Sequence, residues 1–463
     1  MVFSSIVFLY IFLPIMLLVY FIVPSKLKNG VMILASLIFF AWGEIRYIFI
    51  MLILAIMDFV CGKGIDKNFD NKKKKIYLFI DVGINLLILF FFKYSDFIIE
   101  NINLATGLKI PLLNIPLPIG VSFNTFQSLS YIIDVYRGTV KCEKSFYNYL
   151  AYTTLFPQII AGPIVRYETV DEELEVKNIG MDNFSEGMRR FIIGLGKKVL
   201  IANNVGKLWA LIEAGQYTQM TTLLAWTGII AFALQIYFDF SGYSDMAIGL
   251  AQIFGMKFDE NFDYPYISKS ITEFWRRWHI TLGSWFRDYI YIPLGGNRKG
   301  LPKQIRNILI VWFLTGAWHG ASWNFILWGV YFGVILILEK IVLLKLLNKI
   351  PKIFGHIYSI ILILISWAIF AFTDLTQVIN YIKTMFSIGD LPFINSESVY
   401  YFKNYFVIIL IGIICSIPIF NKIKIKNENI KTILVTVVYV GIFLLSTASL
   451  VSDTYNPFLY FRF

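Results

Sequence analysis

From residue 307 to residue 338 the chain carries no Asp, Glu, Lys or Arg, and its one ionisable imidazole there is His319, in the run LTGAWHGASWNFILWG. A membrane span needs about 20 apolar residues, so this stretch is too long for one crossing and predicts two helical pieces meeting near residues 316–322. Counted from Asn307 at about 1.5 Å per residue, the imidazole lies roughly 18 Å into a hydrocarbon layer about 30 Å thick. An ionisable group at that depth turns towards a protein interior or a wet cavity, which makes it a candidate functional site. The alternative is a core histidine hydrogen-bonded to a neighbouring helix.

The rest of the chain agrees with a membrane setting. Of its 463 residues 57% are hydrophobic and 15% charged, too apolar for a water-soluble pair of domains. The expected fold class is all-α: a polytopic, multi-pass helical bundle, one integral-membrane domain over residues 1–463 with a core motif region at about 116–339. The net charge of +11 is read by location. Lys and Arg beside spans set topology, and no basic stripe accompanies a soluble nucleic-acid fold, so the expected surroundings are membrane lipid and no nucleic acid. Cys61, Cys142 and Cys415 are far apart and lack CxxC spacing, which supports neither a disulfide framework nor a zinc site.

Residues 5–24 form a first span. Lys26 and Lys28 follow it, so the positive-inside tendency places the N-terminus outside the cytoplasm. Residues 29–42 and 47–62 read as a hairpin around Gly43, Glu44 and Arg46, and the basic loop with Lys63, Lys67 and 72–75 returns to the cytoplasm. Residues 76–92 cross outward, and 96–115 read as a mixed outer segment. LPIGVSFNTFQSLSYIIDVYRG is too polar for lipid and too apolar for a free loop, which predicts either a partly buried, re-entrant or interfacial stretch or a solvated amphipathic helix. After 146–160 the sequence Ala161, Gly162, Pro163 stops a helix.

Asp182 or Asn183 is the expected cap of a long helix over 184–212, whose Arg189, Arg190, Lys197 and Lys198 give it a basic side. That side either sets orientation or docks an anionic donor. Residues 221–254 hold Asp239 and Asp245, two carboxylates in an apolar run that each need a partner or water. In SITEFWRRWHITLGSWFRDYIYIPLGGNRKG, residues Trp275, Trp278, His279, Leu282, Trp285, Phe286 and Tyr289 recur at spacings of three and four, which predicts one interfacial helix with His279 on its aromatic face. His279 there is either structural or catalytic, and His356 at a membrane edge is incidental. Further spans are expected within 353–451. A basic loop at 422–431 is then cytoplasmic and the tail 452–463, ending NPFLYFRF, extracytoplasmic.

The chain lacks GxSxG, HExxH, a P-loop, and GxGxxG followed by an acidic residue, so those hydrolase, zincin, pump and dinucleotide chemistries are disfavoured. A buried neutral imidazole suits a general base acting on a hydroxyl, and acyl transfer to an alcohol is one of several reactions it serves.

YFDFSGYSDMAIGL, ENFDYPYISKSITEFWRRWHITLGSWFRDYIYIPLGGNR and WHGASWNFILWG, with SFNTFQSLSYIIDVYRG and LFPQIIAGPIVR, resemble the membrane-bound O-acyltransferases, in the branch of alginate and peptidoglycan O-acetylation. The likeness extends to about Glu339. It implies a helical enzyme with a central funnel or tunnel in the cell membrane, His319 as its essential histidine and His279 as the second. It also implies acetyl-CoA as acyl donor substrate with no bound cofactor, a cell-envelope or secreted polysaccharide as acceptor, and an extracytoplasmic SGNH-type acetyltransferase or esterase as partner.

On that reading Trp275, Trp278, Trp285, Arg287 and Asp288 shape the site, and Trp318, Asn324 and Gln235 give hydrogen bonds to thioester or oxyanion. Phe458, Tyr460 and Phe463 match an FxYxxF pattern similar to that of the small partner peptide of teichoic-acid D-alanylation, which makes Tyr460 a candidate acyl carrier; the alternative is an aromatic interfacial anchor. Two rival functions are D-alanyl transfer from a carrier protein to teichoic acid, and a transporter or lipid-linked glycan flippase with Asp239, Asp245 and His319 as proton relay.

Overall fold

The structure is a computed structural model that describes residues 1–68, 70–118, 120–159, 162–175, 177, 179–420 and 425–459. Among them the only β feature is one antiparallel bridge, Phe262 to Trp278; the rest is helix and connection. Among the described residues six helical runs are long and apolar enough to cross a membrane: Ser25–Lys67, Asn71–Thr106, Thr222–Ile253, Lys352–Ala371, Ser396–Cys415 and Glu428–Ser452. The chain is therefore an all-α, multi-pass membrane protein. Its contacts divide it into two compact units, Met1–Phe191 with Ser244–Glu260, and Ile192–Tyr243 with Asn261–Phe463.

In the first unit, Lys28–Glu44 and Ile48–Lys67 are splayed arms joined at Ile45–Tyr47. The Phe146–Thr154 helix stands between them, reached from one arm by Asn29, whose amide donates to Asn148 at 3.1 Å, and from the other by Phe59 against Phe146. The segment from residue 96 begins as a continuation of the preceding helix: Asn71–Thr106 has 36 residues, about 54 Å, and outruns a bilayer core. Val121–Arg137, read either as a partly buried stretch or as a solvated amphipathic helix, is buried almost throughout.

A buried carboxylate in the Ile48–Lys67 arm organises the unit. Asp58 is fully buried, and its carboxylate accepts from Ser128 at 2.5 Å, Asn85 at 3.0 Å and Tyr149 at 3.1 Å. Asp58→Ala leaves the Ser128 and Tyr149 hydroxyls without their acceptor, while Asn85 keeps Asp81, and at 1–3 kcal/mol per orphaned group the unit should lose about 2 kcal/mol or more, read as a lower thermal midpoint in detergent. An unchanged midpoint would contradict this account.

The long helix of the basic residues starts at Met181, before the expected caps, so Asp182 sits in its first turn. It runs through a π-helical stretch, Lys197–Ala202, to Glu213. Of Arg189, Arg190, Lys197 and Lys198, two are taken up inside the protein, while Arg189 stays exposed. Arg190 pairs with Asp245 at 3.0 Å and donates to Glu260 at 2.6 Å, and Lys198 is buried against Asp239.

In the second unit the uncharged run is a tight hairpin, Leu301–His319 and Trp323–Leu338, broken over residues 320–322 where two pieces were expected to meet. Small residues permit the approach. A Cβ on Gly316 would strike the carbonyl of Phe325 and lie 3.2 Å from the Cα of Gly329, and one on Gly329 would strike the carbonyl of Trp312. Glu339, the charge that ends the run, is buried and accepts the N–H groups of Ile271 at 2.6 Å and Thr272 at 2.7 Å. An anion at that helix start, with Ser270 capping Glu273 N–H at 3.0 Å, fixes Ile271–Arg277 against the hairpin.

Candidate active site

The expected single interfacial helix is two short ones, Ile271–Arg277 and Ile280–Phe286, with a π-helical turn Arg287–Tyr291 after them. The break falls on His279, whose φ of 46° is left-handed, an unusual conformation for a residue with a side chain. Periodicity alone could not reveal it, because the apolar spacing continues across the break. The kink turns His279 inward. It is 1% exposed, its Nδ1 lies 3.2 Å from Asn261 Oδ1, and its ring stands edge-on to Phe240 with centroids 4.7 Å apart.

Burial pushes the His279 pKa down to about 3, so the ring is neutral at physiological pH. With Nδ1–H donating to Asn261, Nε2 is left as an acceptor, and it has no hydrogen-bond partner among the described residues. Asn261, the residue that sets this tautomer, was not singled out from sequence. It also accepts from Thr281 Oγ1 at 2.9 Å, a contact made across the bend and so invisible to local pattern.

His319 is the last residue of the Leu301–His319 helix and lines a cavity of about 30 Å³ together with Ile236, Asp239, Phe240, Trp278, Trp328, Trp367, Phe370, Phe458 and Leu459. Such a space holds a water or two. Aromatic rings hold the imidazole, among them Trp318 and Trp328, each with its centroid at 4.9 Å, and Phe370 at 5.3 Å. Trp318 also reaches His279, at 6.1 Å, so one indole lies between the two histidines. Trp278 packs on Trp367 at 5.0 Å, and Trp275 stands behind Trp328 at 5.6 Å. Trp367 and Phe370 come from Lys352–Ala371, beyond the reach of the sequence motifs; a tryptophan inside an apolar span was the signal that could have found the first.

The other candidates divide. Asp239 lines the cavity and pairs with Lys198 at 2.7 Å, both side chains almost fully buried. Asp245 belongs to the first compact unit and is held by Arg190. Both carboxylates therefore have the partners their apolar setting requires. Asn324 is buried with its amide donating to the carbonyls of Ile369 and Phe370, each at 3.3 Å, which ties the hairpin to the neighbouring span. Gln235 packs on the backbone of Gly206. Neither lines this cavity, and neither do Trp285, stacked on Tyr289 at 5.0 Å, nor Arg287 and Asp288, an outward ion pair of 2.7 Å. His356 lies 3.3 Å from the carbonyl of Ser268.

The tail enters the protein interior at its last two described residues. Phe458 and Leu459 are buried in the cavity wall, and the N–H of Leu459 donates to Asp239 Oδ2 at 2.8 Å. Tyr460 and Phe463 lie outside the described residues.

Comparison with known proteins places this geometry. The sequence model of the membrane-bound O-acyltransferase family matches residues 37–376, a range that includes both histidines. The chain is 38% identical over 395 residues to a probable alginate O-acetylase of Azotobacter vinelandii, covering 84% of this chain and 79% of that protein. It is 32% identical over 420 residues to a peptidoglycan O-acetyltransferase of Helicobacter pylori, covering 83% and 80%. Likeness to a teichoic acid D-alanyltransferase of Bacillus subtilis is 29% over 229 residues, covering 47% and 58%. This enzyme family displaces the transporter reading: the chain belongs to the membrane-bound O-acyltransferases and is an O-acyltransferase.

Proposed function

We propose that the chain is an O-acetyltransferase that takes acetyl from acetyl-CoA on the cytoplasmic side of the cell membrane and passes it outward for O-acetylation of a cell-envelope or secreted polysaccharide. The observation that carries this reading is the aromatic-walled cavity at the end of the Leu301–His319 helix, where the imidazole of His319 faces the chain's own C-terminal segment. Relatives that act on alginate and peptidoglycan align over more than four-fifths of the chain, against under half for the D-alanyltransferase, which favours acetyl over D-alanyl transfer.

In the proposed chemistry His319 removes the proton of a hydroxyl as its oxygen attacks the acetyl carbonyl. The C–S bond of the thioester breaks, and the coenzyme thiolate takes the proton back from the imidazolium. Trp328 lies edge-on to His319 and has a buried Nε1–H without a partner among the described residues, a donor suited to the developing oxyanion. Tyr460 is the proposed first acceptor. A phenol with pKa near 10 makes a more activated ester than a serine hydroxyl, so the acetyl group can move on to a glycan hydroxyl, with an extracytoplasmic SGNH-type partner completing that step. Both chain termini then face outward.

The test is intact-mass and peptide analysis of the purified protein after incubation with isotopically labelled acetyl-CoA. An acetyl adduct on the tail peptide that Tyr460→Phe removes is the expected result. An adduct that survives Tyr460→Phe overturns the carrier role, and no adduct with no thioester cleavage, partner present, overturns acetyl-CoA as donor.

A further inference from the structure

We infer that the buried Lys198–Asp239 pair is a backbone clamp that sets the register of the C-terminal segment at the His319 cavity, so that both are positioning residues; the consequence for transfer rests on the carrier reading above. Lys198 reaches the interior from the π-helical stretch Lys197–Ala202. Opposite it, Gly242 lets the two helices close up: a Cβ there would stand 3.1 Å from the backbone nitrogen of Lys198.

A buried ion pair recovers its desolvation cost only if further hydrogen bonds complete both partners. Here the tail supplies them. The carbonyl of Pro457 accepts from Lys198 Nζ, and the N–H of Leu459 donates to Asp239 Oδ2 at 2.8 Å. Lys198 also donates to Asn203 Oδ1 at 2.8 Å, and the Asn203 amide donates to Asn456 Oδ1 at 3.1 Å.

The contacts continue along the segment. Lys207 pairs with Asp453, Tyr455 Oη donates to the carbonyl of Gly206 at 3.0 Å, and Phe458 packs on Tyr243 at 4.9 Å. Because they fall on residues 453, 455, 456, 457, 458 and 459, a slip of one residue breaks all of them together. Aromatic anchoring alone would allow the segment to slide; a charged pair gripping one carbonyl and one N–H does not.

The test uses full-length protein in detergent, with hydrogen–deuterium exchange of the tail peptide and acetyl labelling of residue 460 read on the same samples. Asp239→Ala leaves a buried lysine unpaired and is at risk of misfolding. The double variant K198M/D239L removes the clamp while keeping the site apolar and filled.

The Leu459 amide should exchange at least about tenfold faster in the double variant, the factor expected on losing a hydrogen bond to a charged group. Peptides of the Thr222–Ile253 helix should keep their protection, which a general loss of structure would not allow, and acetyl on Tyr460 should fall at least tenfold. Wild-type protection of the tail in the double variant overturns the clamp, and wild-type labelling of Tyr460 beside it shows that the carrier reading survives that failure. A tail released in the variant, with Tyr460 unlabelled even in wild type, upholds the clamp and removes the carrier.

Discussion

His319→Ala should reduce acyl transfer by at least about 100-fold while the protein still extracts and unfolds as the wild type does, since a positioned general base contributes about 10²–10⁴-fold. The substitution removes the imidazole from among Trp318, Trp328 and Phe370 and leaves a hole beside an existing cavity, at the end of a helix that other contacts hold. Stability therefore changes little and chemistry changes greatly. The measurement pairs single-turnover acetyl transfer with thermal unfolding in detergent. Transfer within a few-fold of wild type would sink the assignment of His319 as base; transfer lost together with the fold would make it a packing residue.

Gly316→Val is expected to cost about 1–3 kcal/mol in stability and to lower transfer at least tenfold, because overpacking against backbone cannot be relieved by a rotamer change. The new side chain meets the Phe325 carbonyl and the Cα of Gly329, both parts of the opposing helix, so the two arms of the hairpin must separate. His319 is three residues further along, less than one turn, and moves with its arm. Phe313→Leu, at a half-exposed position on the outside of the same helix, serves as control and should leave both quantities near wild type. If Gly316→Val matches that control, the close approach of the arms does not set the position of the imidazole.

Sequence by itself determined the membrane class, the interruption of the uncharged run near His319, the need of Asp239 and Asp245 for partners, and the family. Each follows from a quantity written along the chain: lengths of apolar runs, the cost of charge in them, or a string of residues. It did not determine that the 271–291 segment bends at His279, that Lys198 turns inward, or which span supplies Trp367 and Phe370 to the cavity.

Those facts belong to the tertiary structure for a common physical reason. A left-handed residue or a π-helical turn leaves the apolar period almost intact while redirecting a side chain, and a buried charge reveals its partner only when a distant helix arrives. The tail shows this most plainly. NPFLYFRF reads as an extracytoplasmic aromatic end, and only the fold brings Lys198, Asn203 and Asp239 to the one place where the Pro457 carbonyl, the Asn456 side chain and the Leu459 N–H complete their hydrogen bonds.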